Sequence, residues 1–288
     1  MDWPIPTRKA VDIAVPSGAH PSSASYPDVD AWEAVAADWH PGHGAELWRA
    51  HSDAVYAMLL ERWLPRAGLG CVLKTDLFDE AVSVGLYPVL ASRARSVIGI
   101  DLAQWTARQA RGRYPGMAMA GADVRRLPFP DAAFDAIVSL STLDHFRARA
   151  DLEAALGELQ RVLRPGGTLV LTLDNLANPV VRLRNVLPFG LLNRIGLVPY
   201  FVGATCTPGG TARLLRTAGF RVDELTAVMH VPRVAAVALA ALVQRRAGPD
   251  THARFLDHLR RWERLAGWST RWMTGHYVAV RATRLPAP

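Results

Sequence analysis

Short apolar runs that end in an acidic residue recur along the middle of this sequence. Two of them end at Asp76 and Asp101, and Asp123 follows a third. Two more apolar runs come later, the second of them directly after Pro165-Gly166-Gly167. Amphipathic stretches separate the runs, and this alternation predicts a parallel sheet covered by helices. The expected strands lie near residues 71–76, 96–101, 117–120, 134–140 and 168–173.

The order of these features resembles that of the class I S-adenosylmethionine-dependent methyltransferases that act on small molecules. The resemblance covers about residues 70–225, and the flanking parts match in outline. It implies an α/β fold with a Rossmann-like, seven-stranded, mostly parallel sheet flanked by helices. Two further apolar runs, at 220–225 and 277–282, would supply the antiparallel edge pair of such a sheet.

Composition divides the chain into three parts. Residues 1–27 are rich in Pro, Ser and Ala and predict an extended arm. Residues 28–69 predict helices, which in the resembled family lie over the active site. Residues 70–288 would form the cofactor-binding domain, with a helical insertion at about 231–272 that completes a cap. A helix over 152–163 and another over 211–217 are expected within that domain.

The charge pattern argues against a nucleic-acid partner. The net charge is +7, and arginine carries almost all of the positive charge because Lys9 and Lys74 are the only lysines. The arginines are scattered and form no basic run of the kind that marks a phosphate-binding patch. A solvated basic surface is the expected consequence.

Cysteine and hydropathy indicate a cytoplasmic protein without a membrane span. Cys71 and Cys206 lie far apart without a CxxC or Cys/His partner, so neither a disulfide framework nor a metal site is expected. The first residues contain no apolar core of a secretory signal. The longest apolar stretch, residues 234–243, has about half the length that a membrane span needs.

Three of the acidic strand ends have counterparts in the cofactor sites of the resembled enzymes. Open α/β sheets bind ligands beyond the carboxyl ends of their strands. The resemblance implies S-adenosyl-L-methionine as cofactor, with Asp101 accepting the ribose hydroxyls and Leu102 beside it. Asp123 and the backbone of Val124 would hold the adenine amino group. An acid after an apolar run is also a common helix cap.

The loop after the first strand departs from the family pattern. Where those enzymes usually show an acid followed by Gly-x-Gly-x-Gly, residues 76–82 here contain no glycine. Side chains are expected to replace the backbone contacts that such glycines allow. Thr75 would contribute, Asp76 or Glu80 would take the cofactor's ammonium, and Lys74 its carboxylate. The other interpretation is a degenerate loop that no longer binds tightly.

Histidines supply the candidates for proton transfer. His145 follows the fourth strand, in a segment that faces the transferable methyl group in the resembled enzymes, and Ser141 of the same segment is an expected cofactor contact. His145 is the first candidate for a general base. Tyr26 and His51, from the segments that precede the first strand, are further acceptor-site candidates. For each of the three, a purely structural role is the alternative.

The apolar stretch 180–203 and the tryptophan-rich insertion predict a hydrophobic lid over an acceptor pocket. A homodimer interface is the competing interpretation of both segments. The functional hypothesis is methyl transfer to a small, fairly apolar molecule, for example in secondary metabolism. Two alternatives remain open because of the altered first loop. One is other chemistry on S-adenosylmethionine, such as cyclisation, and the other is an inactive scaffold with the same fold.

Overall fold

A seven-stranded sheet forms the centre of the part of the chain that the computed structural model describes, residues 32–33, 46–194, 203 and 205–286. Its strand order is β3-β2-β1-β4-β5-β7-β6. Strands β1 to β5 pair in parallel, whereas β7 is antiparallel to both β5 and β6. The strands are β1 (Leu69–Lys74), β2 (Ala94–Asp101), β3 (Ala118–Gly121), β4 (Phe134–Leu140), β5 (Leu163–Asp174), β6 (Phe220–Val228) and β7 (Tyr277–Arg284).

Helices cover both faces of this sheet and fill the connections between its strands. They are α1 (Glu46–Trp63), α2 (Phe78–Val82), α3 (Tyr87–Ala91), α4 (Gln104–Arg113), α5 (Arg149–Val162), α6 (Pro179–Val186), α7 (Phe189–Arg194), α8 (Pro208–Thr217), α9 (Arg233–Arg246), α10 (Pro249–Arg261) and α11 (Arg271–Thr274). Two 3₁₀ turns span Leu143–His145 and Trp262–Gly267. Within the described ranges, no helix has the length and apolar character that a membrane crossing requires.

The core has two layers because the central strands are apolar on both faces. On one face, side chains of α5 and α8 such as Leu159 and Leu215 pack against β4, β5 and β7. On the other, α1, α3 and α4 contribute Leu60, Leu90 and Ala110. The predicted Rossmann-like α/β fold, with its mostly parallel seven-stranded sheet, is confirmed.

The start of β5 differs from its predicted position. The sequence predicts a turn at Pro165-Gly166-Gly167 and a strand from residue 168, but β5 already begins at Leu163. Leu163 pairs with Phe134, and the register shifts after this pair. Gly166 has a φ of 75°, which glycine adopts without strain. The Pro-Gly-Gly segment is therefore an irregular first part of the strand.

A third group of buried side chains joins α1 to the helices that lie between β6 and β7. Leu47 and Trp48 of α1 pack with Ala240 of α9 and Leu259 of α10. This contact places the first turns of α1 over the carboxyl edge of the sheet. The predicted arm at 1–27 lies outside the described residues, and the division of the chain into three parts stays a prediction.

Candidate active site

A cavity of about 500 Å³ opens beyond the carboxyl ends of β1, β2 and β4. The strand order reverses between β1 and β4, and such a switch point leaves a crevice above the sheet. Loops after the strands form one wall, and α1 with the first residue of β7 forms the other. The volume lies within the range of small-molecule sites.

The loop after β1 places two carboxylates in the cavity wall. The Thr75 hydroxyl donates to Ser139 Oγ at 2.9 Å, and the Thr142 hydroxyl donates to Asp76 Oδ2 at 3.2 Å. The Thr142 bond, together with the Lys74 ammonium 3.2 Å from Asp76 Oδ1, orients the Asp76 carboxylate. Asp79 also lines the cavity, and the Arg49 guanidinium lies 3.2 Å from its Oδ1.

Phe78 lies where the resembled enzymes have a glycine-rich backbone. Its ring lines the cavity, and the Arg49 guanidinium lies 4.6 Å from the ring centroid. Leu77, the preceding residue, is fully buried against β2. A Cβ atom at Gly99 would clash with the Leu77 side chain, so this glycine of β2 makes room for the loop. Bulky residues in the loop thus depend on a small residue in the neighbouring strand.

Lys74 and Glu80 lie beneath this loop and do not line the cavity. The Lys74 ammonium is 2.9 Å from Glu80 Oε2 and donates to the Asp76 carbonyl at 2.8 Å. Burial alone would lower the pKa of Lys74, but the carboxylates of Asp76 and Glu80 outweigh it, so the pKa lies above its usual value. Glu80 Oε1 accepts the backbone N–H groups of Leu86 and Tyr87. The expected direct contacts of Lys74 and Glu80 with the cofactor are revised, because each side chain is committed to partners inside the protein.

Asp101 terminates β2 at the cavity. Its Oδ2 accepts the Leu77 N–H at 2.9 Å, and its Oδ1 accepts the Ala103 N–H at 2.8 Å. Burial raises the pKa of this carboxyl to about 7, although the two backbone bonds oppose the shift. Each oxygen keeps a further lone pair for a ligand hydroxyl. Leu102 lies beside it in the cavity wall.

Asp123 is engaged by a neighbour that the sequence argument overlooked. Arg125 Nη2 lies 2.6 Å from Asp123 Oδ2, and the Arg125 backbone N–H donates to Asp123 Oδ1 at 2.7 Å. The guanidinium also lies 5.1 Å from the ring centroid of Phe146. Val124 and Arg125 line the cavity. The Asp123 carboxylate therefore contributes to the cavity wall in two ways: it lines the wall itself, and it holds the Arg125 guanidinium there.

The end of β4 brings Ser141 and His145 to the same cavity. Ser141 has a φ of 52°, a left-handed conformation that is uncommon for a residue with a side chain. Its N–H donates to Thr172 Oγ1 at 2.8 Å, which holds this turn in place. The His145 ring packs edge-on against Trp32 with centroids 4.8 Å apart. Asp144 Oδ1 is 3.9 Å from His145 Nε2, too far for a hydrogen bond.

The opposite wall is aromatic and has a hydroxyl group near its centre. Trp48 and Tyr56 come from α1, and Tyr277 is the first residue of β7. Arg233 Nη1 donates to the Tyr277 hydroxyl at 2.7 Å. Burial raises the pKa of Tyr56 well above its usual value, so its phenol stays neutral at ordinary pH. Phe189 of α7 also reaches this wall.

His51 does not belong to the cavity. It is fully buried on α1, and neither of its ring nitrogens has a hydrogen-bond partner in the described part of the chain. Burial, with Arg260 nearby, lowers its pKa to about 4. A neutral, enclosed imidazole cannot reach a bound acceptor, so the expectation for His51 is revised. Tyr26, the third candidate for proton transfer, lies outside the described residues.

The cavity thus collects most of the predicted site residues in one wall. These are Thr75, Asp76, Asp101, Leu102, Asp123, Val124, Ser141 and His145. The sequence argument missed Arg125, Phe78, Arg233 and Tyr277. For Tyr277 a signal existed, because an antiparallel strand begins at the edge where its parallel neighbours end. Among the described residues, no three His, Cys, Asp or Glu side chains are grouped to hold a metal ion.

Comparison with known proteins identifies the family to which this chain belongs. A family model described as a methyltransferase domain matches residues 82–171. The chain is 35% identical over 181 residues to a demethylmenaquinone methyltransferase of Thermus thermophilus, and the match covers 54% of this chain and 80% of that protein. The chain belongs to the class I S-adenosylmethionine-dependent methyltransferases. A probable S-adenosylmethionine-dependent methyltransferase of Mycolicibacterium smegmatis is 29% identical over 192 residues, 66% of each chain.

Solved structures show the same fold for this methyltransferase. The Haloferax volcanii putative methyltransferase solved with the Trm112 activator superposes with a TM-score of 0.57 and 19% identity, covering 90% of this chain and 98% of the other. The [4+2]-cyclase SpnF superposes with a TM-score of 0.55 and 19% identity, covering 90% of this chain and 94% of that one. At this level of identity the likeness concerns the fold.

The residues of this methyltransferase fit its cofactor, S-adenosylmethionine, at one end of the cavity. A carboxylate at the end of β2, where Asp101 lies, suits a diol, because each of its oxygens can accept one hydroxyl. The Asp76 and Asp79 carboxylates offer negative charge for an ammonium. Phe146 and Val124 offer flat and apolar surface for a purine ring. Because residues 76–82 contain no glycine, this loop lines the cavity with side chains.

Proposed function

We propose that this methyltransferase transfers a methyl group to a small, fairly apolar acceptor. The observation that carries the proposal is that the carboxylates of Asp76 and Asp101 share one cavity with the aromatic side chains of Trp48, Tyr56 and Tyr277. The polar groups of the wall suit the cofactor, and its aromatic side chains suit an apolar acceptor. Two matched relatives are named demethylmenaquinone methyltransferases, and that named substrate is a small molecule.

The protein's task in such a reaction is mainly alignment. When bound, S-adenosylmethionine supplies an activated methyl group together with its own leaving group. The side chains of Asp101 and Asp76 would orient the cofactor, and the walls contributed by α1 and β7 would exclude water and hold the acceptor in line. The Arg233 guanidinium donates to the Tyr277 hydroxyl at 2.7 Å and so would hold the Tyr277 ring in the wall that faces the acceptor.

His145 is the proposed general base when the acceptor nucleophile is a hydroxyl. It lines the cavity beside Ser141, and its ring is in edge-on contact with Trp32. From the carboxyl end of β4, the strand next to β1, His145 would take a proton from an acceptor held against the aromatic wall. Arg125, through its pair with Asp123, is the proposed support for the adenine end.

A second candidate is other chemistry on the same cofactor or within the same cavity. Two observations favour it: the loop after β1 lacks the usual glycines, and one solved structure of the same fold bears the name of a [4+2]-cyclase. An inactive scaffold is the third candidate. Because fold does not determine chemistry, only the products separate the three.

Product analysis tests the proposal directly. The purified protein is incubated with S-adenosylmethionine and a panel of small aromatic and prenylated phenols, and the products are measured by mass spectrometry. S-adenosylhomocysteine in equal amount to a methylated acceptor, and only when acceptor is present, is the expected result. Methylthioadenosine formed without acceptor would favour cyclisation of the cofactor. Cofactor binding without any consumption across the panel would favour the scaffold.

A further inference from the structure

Helices α6 and α7 expose a row of large apolar side chains. Val180, Leu183 and Val186 are 64%, 60% and 76% exposed, and their spacing of three places them on one side of α6. Leu187, directly after α6, and Leu191 of α7 are also exposed, by 37% and 52%. We call these five side chains the α6–α7 face. Large apolar side chains exposed together on two consecutive helices are typical of an interaction site.

The sequence that contains this face carries charge of a single sign. Residues 175–222 contain six arginines and no acidic residue, although the whole chain has a net charge of only +7. Arg182 and Arg194 are exposed on the two helices of the face. Arg184 is half-buried and pairs with Asp174 instead. The two helices that carry the α6–α7 face therefore have exposed positive charge and no acidic residue of their own.

The face is also adjacent to the cavity. Phe189 and Asn193 of α7 line the cavity, while Leu191 of the same helix belongs to the exposed face. The sequence that follows, residues 195–202, contains no charged residue. One short helix thus connects the apolar surface to the proposed acceptor site.

We propose that the α6–α7 face docks on the surface of an anionic lipid bilayer. A helix with an apolar face and flanking arginines lies in the membrane interface, where apolar burial and attraction to anionic lipids act together. A second copy of the chain fits less well, because a two-fold contact through this face would bring Arg182 and Arg194 of both copies close together. A nucleic acid would use the arginines but not the five apolar side chains.

Docking of this kind would bring the cavity close to the bilayer. An apolar acceptor dissolved in lipid would then reach the aromatic wall by way of Phe189. This last step rests on the proposed methyl transfer to an apolar acceptor. The docking itself does not, because vesicle binding is measured without any turnover.

Vesicle co-sedimentation tests the docking. The full chain is mixed with vesicles of phosphatidylcholine alone or with one third phosphatidylglycerol. Binding to the anionic vesicles that weakens with added salt is expected. The variant Leu183→Glu/Val186→Glu should bind at least tenfold more weakly. The control Leu239→Glu/Leu242→Glu alters two exposed leucines of α9, 48% and 38% exposed, and should bind like the wild type.

A charge variant separates the two parts of the proposal. Arg182→Gln/Arg194→Gln should also bind anionic vesicles about tenfold more weakly while its apolar face is intact. Absence of wild-type binding would overturn the proposal, and so would equal losses in the α9 control or full binding by the glutamate variant. Light scattering that shows a wild-type dimer broken by Leu183→Glu/Val186→Glu, with no vesicle binding, would identify the face as an interface between two copies.

Folding and cofactor binding are measured on the same samples. Circular dichroism melts confirm that each variant is folded, and calorimetry with S-adenosylhomocysteine reports on the cavity. A protein that binds the cofactor but not the vesicles contradicts the docking alone. A protein that binds vesicles but transfers no methyl group contradicts the proposed function alone.

Discussion

The Lys74 ammonium lies 2.9 Å from Glu80 Oε2, and both side chains are closed to solvent, with exposures of 1% and 0%. Removing two such charges from water is costly, and only close pairing with further hydrogen bonds offsets that cost. Lys74 gains the Asp76 carbonyl, and Glu80 gains two backbone N–H groups at the start of α3. This ion pair ties β1 to α2 and α3 beneath the glycine-free loop.

Lys74→Met should destabilise the protein by about 3–5 kcal/mol, because it leaves the Glu80 carboxylate buried without its cation. Urea denaturation at pH 7 measures the loss. The affinity of the remaining folded protein for S-adenosylhomocysteine should stay within a few-fold of the wild-type value, since Lys74 does not line the cavity.

The double variant Lys74→Met/Glu80→Gln should recover much of that stability, because the glutamine keeps an oxygen for the Leu86 and Tyr87 N–H groups and carries no charge. A double variant as unstable as the sum of the two single variants would show that the pair is not coupled. A large loss of affinity with unchanged stability would instead restore Lys74 to the cofactor site.

His51→Leu should stabilise the protein, and more so in acid. The pKa of His51 is about 4 in the folded protein, below its value of 6.5 in the unfolded chain. Above pH 6.5 the ring is neutral in both states, so the wild type has its full stability there, and it loses stability as the pH falls and the unfolded chain takes up the proton. Between pH 8 and pH 5 the wild type should lose about 2 kcal/mol that the variant keeps. Thermal melts across this pH range measure the difference.

The exposed His258 of α10 provides the control for the loss of a histidine, because His258→Ala removes no buried side chain and should melt like the wild type at pH 8. Methyl transfer by His51→Leu should stay near the wild-type rate. A rate that falls by a hundredfold or more in a stable His51→Leu protein would return this histidine to the acceptor site.

His145→Ala should lower kcat by about a hundredfold to ten-thousandfold if the acceptor nucleophile is a hydroxyl, because the general base is then missing. Affinity for S-adenosylhomocysteine should change little, since the proposed polar contacts with the cofactor are made by Asp76 and Asp101 and not by His145. Single-turnover kinetics with a saturating acceptor measures the chemical step. An unchanged rate in that step would show that another group takes the proton or that the nucleophile needs no base.

The sheet could be predicted because its signals are local. Apolar runs that end in Asp76 and Asp101, and the Pro-Gly-Gly before β5, each depend on a few neighbouring residues. The same local signals located the carboxyl edge, so Asp101, Asp123 and His145 were expected at one site and lie along one cavity. The observed strands are longer than expected at several ends, where pairing with neighbours extends them.

The partners of polar side chains could not be predicted in the same way. Lys74 within a strand was an unusual residue, but only the fold shows that Glu80 turns back beneath the loop to meet it. Likewise Arg233 and Tyr277 are 44 positions apart in the sequence and meet because α9 and β7 begin at the same edge of the sheet. The sequence around His51 gave no indication that this side of α1 packs against α10. Such contacts follow from tertiary packing and not from local sequence.

Calorimetry with S-adenosylhomocysteine tests most directly whether the cavity at the strand ends is the cofactor site. The wild type should bind, and Asp101→Ala should bind more weakly by about 1–3 kcal/mol, the scale for hydrogen bonds to a charged group. The control is Asp131→Ala, which removes a carboxylate that is 76% exposed and precedes the amino end of β4, away from the cavity. This variant should bind like the wild type. Equal affinities for the wild type and a folded Asp101→Ala variant would contradict the account.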